Sequence, residues 1–340
     1  MTNSFSLLRL PNEERLQVLR CMDRRILLLL SLLSRNTKNL VRYLQLKPIP
    51  YTIGTISLDI PRFQVWFNGG TCLYIGTWDI TLSFYKDPQN NMERLEKPRK
   101  VRIILKEGTG FNTRWTEVEF LNHLEIREWY EHLLYIIKPR QETEMIFTGG
   151  CLSFDLGAIK TVFGRIDSLG FNFSEPREFV SKGLDTFLPD LKKLRLVRNP
   201  YPHEGNRLQK LLIQNFDSLD ICDFERLNLE ELVICNAHYI KFSLNEQFDN
   251  INQFLKLWIN GSNEKLRKMT IEQRTRFNEG KILEGIKIHR EIPNEENIAY
   301  EEDLDWQYKY RTRAVDIKRY DGIRGTVIMK ETTIHFLVWN

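Results

Sequence analysis

Apolar positions fall into distinct regimes along the chain. From residue 7 to 41 they recur every three or four residues. Leu16, Leu19 and Met22 make one run, Ile26, Leu27, Leu30 and Leu33 a second, and Thr37, Leu40 and Val41 a third. That spacing predicts a helix over about 12–22, opened by Pro11-Asn12-Glu13, a second capped by Asp23 and a third capped by Ser34. Leu28 and Leu29 make the second helix apolar around more of its circumference than a three-helix unit encloses. Either the rest of the chain covers them or a partner does.

Lys47-Pro48-Ile49-Pro50 is a stiff junction, and beyond it the period falls to two. Ile56, Leu58 and Ile60 alternate, then Phe63, Val65 and Phe67, ending at the turn sequence Asn68-Gly69-Gly70. Further strands are predicted over 71–75, 79–85, 101–105 and 144–148. A helical period over 117–137 runs through Val118, Leu121, Leu124, Trp129, Leu133, Leu134 and Ile137, and helices follow over 155–166 and 178–188. Phe171 and Phe173 alternate like a strand between the last two.

From Leu191 a loose repetition begins. Residues 191–196, 208–213, 229–234 and 266–271 all echo a leucine-x-x-leucine-x-isoleucine pattern at unequal intervals. The pattern predicts parallel strands stacked as in leucine-rich repeats, with an ordinary α/β sheet as the alternative. An extra helix over 244–258 carries Phe248, Ile251, Phe254, Leu255 and Trp258. Strands over 316–320 and 326–329 pair through Asp321-Gly322, and 333–339 adds a third.

At 340 residues the chain is too long for one ordinary core, and 42% apolar with 28% charged residues is a globular composition. The net charge of +4 is unevenly placed. Residues 1–47 carry nine Lys or Arg against three acids, which leaves the remainder at −2. A basic helical unit on a slightly acidic body suits an acidic protein partner and argues against nucleic acid. Cys21, Cys72, Cys151, Cys222 and Cys235 form no close pair, as expected of unpaired thiols in a reducing cytoplasmic and/or nuclear setting. The N-terminus does not read as a secretory leader, and the apolar run 26–30 is far too short for a membrane span. None of His123, His132, His203, His238, His289 and His335 stands in a metal-ligand spacing, and phosphate-loop, dinucleotide and nucleophile-elbow motifs are missing. No catalytic, cofactor or metal site is expected. Trp306, Tyr308 and Tyr310, set among acids, are the candidates for a target-binding loop, because aromatic anchors favour interfaces.

Residues Leu7-Leu8-Arg9-Leu10-Pro11, Val18-Leu19, Met22-Asp23, Leu27 through Ser34 and Lys38-Asn39-Leu40-Val41 resemble the F-box in its nematode form. Arg24 stands where the wider family often has proline, and Thr37 where it often has an aromatic residue. Leu229-Glu230-Glu231-Leu232, the stretch 252–263 and Asp316-Ile317-Lys318-Arg319-Tyr320-Asp321-Gly322 resemble the type 2 F-box-associated module. The resemblance implies a multi-domain α+β chain. A three-helix F-box over 1–47 precedes a mixed β/α segment over 48–150. A repeat-like recognition domain of stacked strands covers 151–340. It implies a substrate-recognition subunit of an SCF-type cullin–RING ubiquitin ligase that binds a Skp1-like adaptor and an unidentified target, without chemistry of its own. Carried over by position, the adaptor-facing residues are Leu8, Leu10, Pro11, Leu16, Val18, Leu19, Ile26, Leu27 and Leu30. The alternative is a protein-binding or antagonist protein that acts apart from any ligase.

Overall fold

The computed structural model describes residues 7–22, 24–44, 52–59, 62–69, 78–85, 100–107, 114–121, 124–137, 143–147, 155–171, 176–293 and 313–339. The chain forms two compact units that meet in sequence after Ile166.

The first unit opens with a 3-10 turn at Leu7–Arg9 and three helices, α1 (Asn12–Cys21), α2 (Arg24–Leu33) and α3 (Arg35–Tyr43). Strands β1 (Thr52–Asp59), β2 (Arg62–Gly69), β3 (Trp78–Tyr85), β4 (Lys100–Glu107) and β5 (Arg114–Leu121) pair antiparallel, each with its sequence neighbour. Helix α4 (Ile126–Ile137) follows. Strand β6 (Thr143–Phe147) then lies parallel to β1, with Ile56 opposite Met145, and helix α5 (Leu156–Phe163) ends the unit. The helix expected over 117–137 begins only at Ile126, because its first residues are strand: Val118 and Phe120 alternate with Glu117 and Glu119, and that period of two prevails until Leu121. Residues 70–77, which hold the expected strand 71–75 and make up the β2–β3 connection, lie outside the described residues.

The second unit alternates strand and helix: β7 (Ser168–Phe171), α6 (Arg177–Phe187), β8 (Lys193–Arg198), α7 (Gly205–Leu212), β9 (Phe216–Phe224), α8 (Leu229–Ile234), β10 (Ala237–Leu244), α9 (Ile251–Ile259) and β11 (Lys268–Gln273). Strands β7 to β11 are parallel and lie side by side in chain order. Then come α10 (Glu279–Ile282), a two-residue β12 (Arg290–Glu291), β13 (Arg313–Lys318), β14 (Arg324–Met329) and β15 (Thr333–Trp339), all antiparallel. β15 sits between β14 and β11, so this is a mixed sheet.

Two rows of apolar side chains cross the sheet in register: Leu194, Leu219, Ile240, Met269 and Phe336, then Leu196, Ile221, Phe242, Ile271 and Ile334. All ten are buried. Each fully buried side chain of these rows contributes roughly 1.5–3 kcal/mol to the cohesion of the unit. Trp258 of α9 meets Phe336 edge-on at 4.8 Å between ring centroids, which places α9 over this face.

Two of the four echoes of the leucine pattern are helices rather than strands. Residues 208–213 fall in α7 and its C-cap, and 229–234 are α8; the strands themselves are β9 and β10, which follow them. The reason is local. Asn228 accepts from the Glu231 amide at 2.8 Å and the Glu231 carboxylate accepts from the Asn228 amide at 2.9 Å, a capping box that starts a helix. Likewise the helix expected over 244–258 begins only at Ile251, because Leu244 still belongs to β10.

Candidate protein-docking site

The helical N-terminus is built from local signals. The Pro11 carbonyl accepts from the Arg15 amide at 3.0 Å to begin α1. At α3 the Ser34 hydroxyl accepts from the Thr37 amide at 3.2 Å, and the Ser34 amide donates to the Thr37 hydroxyl at 3.0 Å. Thr37 is buried and completes this reciprocal cap.

Leu19, Leu27, Leu28 and Val41 fill the interior between the helices. Of the residues expected to face an adaptor, Leu19 and Leu27 are therefore in the core, at 0% and 2% exposure. Leu10, Leu16, Val18 and Leu30 are half-buried. Leu8, Pro11 and Ile26 are exposed, Leu8 and Ile26 to about half of their surface. The inward stripe of α2 is turned relative to the expected one. Leu28 and Ser31 point in with Leu27, whereas Ile26 and Leu33 point out. A helix with apolar residues at nearly every position carries no unique stripe in its sequence, and its orientation is settled by what packs on it.

On one side that packing comes from α4. The Ser31 hydroxyl donates to the Leu28 carbonyl at 2.6 Å and stands 2.7 Å from His132 Nε2, so its oxygen accepts from the imidazole. Burial, with Lys38 nearby, lowers the His132 pKa to about 4, and the ring stays neutral near pH 7. The Tyr135 hydroxyl donates to Asn39 Oδ1 at 2.6 Å, and the Arg42 guanidinium and Lys38 ammonium lie 4.1 and 4.7 Å from the Tyr135 ring centre. Leu28 is thus covered by this chain's own residues. On another side, a groove of about 750 Å³ is lined by Leu8, Leu16, Leu40 and Tyr43 with polar residues that include Asn39.

The large apolar side chains left exposed among the described residues are Leu8, Ile26, Leu33, Tyr43, Ile213, Leu257 and Tyr320. Four of these seven lie within residues 7–44.

The body presents a different surface. On the sheet face away from the apolar rows, Arg195, Asp220, Lys241, Thr270 and His335 stand opposite one another in register. Arg195 Nε lies 3.6 Å from Asp220 Oδ2, Lys241 Nζ lies 3.1 Å from Glu272 Oε1, and the Ser243 hydroxyl donates to Glu272 at 2.9 Å. Burial raises the Asp220 pKa against the pull of Lys241 and Arg195. Burial lowers the His335 pKa to about 3, with Lys330, Lys268 and Lys241 adding to the effect. His335 Nδ1 and the Thr270 hydroxyl are 3.0 Å apart.

The residues that carry the second resemblance have structural work. Gly261, at φ 104°, ends α9: its amide donates to the Trp258 carbonyl at 2.9 Å and the Ser262 amide to Leu257 at 3.0 Å. Asn263 Nδ2 donates to the carbonyls of Val233 and Cys235 at 3.0 and 3.1 Å, tying down the end of α8. The Arg319 guanidinium, held by Asp321, lies 5.8 Å from the Trp258 ring centre. Trp339 donates to the Thr326 hydroxyl at 2.7 Å, and that hydroxyl donates to buried Asp316 at 2.6 Å.

Trp306, Tyr308, Tyr310 and His123 lie outside the described residues. Among the described residues no group of three His, Cys, Asp or Glu is placed to hold a metal ion, and no helix is long and apolar enough to cross a membrane.

Residues 7–48 match the F-box domain family, and residues 207–271, from α7 to β11, match the family described as F-box associated. No curated protein and no solved structure matches the chain. The chain carries an F-box domain and an F-box-associated domain, a combination typical of non-catalytic adaptor proteins.

Proposed function

We propose that this chain is a substrate-recognition subunit of an SCF-type cullin–RING ubiquitin ligase, of the kind whose F-box takes the nematode form. F-box domains bind Skp1 in SCF complexes, and the pairing with an F-box-associated domain points to a substrate-recognition role. The observation that carries the reading is the cluster of exposed apolar side chains on the F-box helices, in the unit of the chain with excess positive charge. In this reading Leu8, Leu10, Pro11, Leu16, Val18, Ile26 and Leu30 meet a Skp1-like adaptor, while Leu19 and Leu27 support them from within. The body holds a target protein. The rate gain comes from tethering: a target held beside the ligase meets activated ubiquitin at high effective concentration, and this chain supplies no reacting group.

The test is co-purification of the full chain with a Skp1-like adaptor beside a Leu8→Asp/Ile26→Asp double variant. Both positions are about half exposed, so the variant is expected to fold, as circular dichroism would verify. A one-to-one complex that the variant fails to form is the expected result. The absence of any complex with the unaltered chain sinks the ligase reading and leaves a protein-binding role apart from the ligase.

A further inference from the structure

Four contacts among the described residues bind α4 to the F-box helices, and together they fix more than a surface. Tyr135 engages Lys38, Asn39 and Arg42, which span one turn of α3. Asn36, Asn39, Leu40 and Tyr43 follow the i, i+3, i+4, i+7 spacing of one helix face, and all four line the groove. Asn39 belongs to both sets. It accepts the Tyr135 hydroxyl and forms part of the groove wall. Each residue advances about 100° around a helix, so a small rotation of α3 carries Leu40 and Tyr43 away from Leu8 and Leu16. Tyr135 opposes that rotation from outside the groove. One helix away, His132 holds α2 through Ser31, a buried contact with both partners nearly inaccessible to water.

We propose that His132 and Tyr135 of α4 are positioning residues for adaptor docking: they fix the rotation of α2 and α3 and so keep the groove between α1 and α3 in its binding shape. The proposal rests on the adaptor-docking reading above. It extends the functional docking unit beyond the F-box match, which ends at residue 48, to a helix that begins at Ile126.

The experiment measures adaptor affinity by calorimetry on the full chain, with thermal unfolding of each variant recorded in parallel. Tyr135→Ala is expected to weaken binding by roughly five- to twentyfold, from the loss of one hydrogen bond and two cation contacts. Tyr135→Phe, which keeps the ring under Lys38 and Arg42, is expected to recover most of that loss. In an Asn39→Ala background, Tyr135→Phe should have no further effect. His132→Leu should weaken binding, and His132→Gln, which retains a donor, should weaken it less. Variants that lower the melting temperature but bind as tightly as the unaltered chain, once corrected for folded fraction, overturn the proposal. If the Tyr135→Ala chain fails to fold, the Tyr135→Phe and Asn39→Ala pair decides, and additive effects of the two overturn it. Failure of the unaltered chain to bind overturns both this proposal and the ligase reading, whereas binding that no α4 substitution alters overturns this proposal alone.

Discussion

The F-box helices and the F-box-associated sheet bury their apolar residues by opposite strategies. In residues 7–44 the helices are short, and α2 is apolar around most of its girth, so Ile26 and Leu33 remain outside when Leu27 and Leu28 go in. In the body, alternation through the middle of β8 to β11 sends Leu194, Leu196, Leu219, Ile221, Ile240, Phe242, Met269 and Ile271 to the helix-covered face and Arg195, Asp220 and Lys241 to the other, interrupted only locally by buried Val197 and Thr270 and by a register shift near Phe242–Leu244. A period of two leaves no ambiguity about which side chain is buried, and a helix of continuous leucines leaves a great deal. One region therefore offers apolar surface to a partner, and the other offers a half-buried lattice of charges.

The harshest test of that contrast is truncation in the body. Trp258→Ala removes a fully buried ring packed on Phe336 and should cost about 3–5 kcal/mol in chemical denaturation. Leu33→Asp, at a side chain 75% exposed, should cost less than about 0.5 kcal/mol in the same assay. Equal losses from the two would break the comparison. Gly325→Ala comes next. An added methyl would lie 2.7 Å from the Phe336 ring and 2.9 Å from Trp258, and the overpacking should cost about 1–3 kcal/mol. Ser34→Ala removes half of the reciprocal cap on α3 and should cost about 1 kcal/mol.

Acid should weaken both regions, through His132 beside the F-box helices and through His335 in the body. His335 is neutral in the folded chain at pH values where it would be charged once unfolded. Its pKa falls from 6.5 to about 3, so the unfolded state binds the extra proton and stability drops as pH falls from about 6.5 toward 3. Urea midpoints recorded across that range should decline, and His335→Gln should flatten the decline. An unchanged slope would remove His335 from the account. A small effect belongs to the exposed Lys241–Glu272 pair, for which a double-mutant cycle should return roughly 0.2–1 kcal/mol that shrinks in high salt.

Much of this was legible in the residues. Asp321-Gly322 between two alternating runs is a turn, and β13 and β14 lie on either side of it. Helices α1, α3, α5 and α6 followed their periodicity and Ser34 caps α3 as expected, whereas the cap expected at Asp23 lies outside the described residues. The body misled at Leu208 and Leu229, where leucines three apart followed by isoleucine satisfy a helix as readily as a strand. The deciding signal was present in Asn228 and Glu231, whose spacing is that of a helix cap. What no single sequence carried was the pairing of Ser31 with His132, 101 positions apart, or of Asn39 with Tyr135. A contact between distant elements leaves no trace in local spacing. The groove wall and its support from outside therefore emerged only in three dimensions.

The place of β15 in the sheet has a consequence for the order in which the body comes together. Strands β7 to β11 lie next to one another in the order in which a ribosome releases them, so each can dock on its predecessor as it emerges. β11 then waits. Its second neighbour is β15, which follows three further strands in sequence. Until β15 arrives, a nascent chain displays the unpaired backbone edge of β11, beside the buried residues Met269 and Ile271. That interval is when a growing chain is most open to pairing with a foreign strand, and when chaperone attention would matter most.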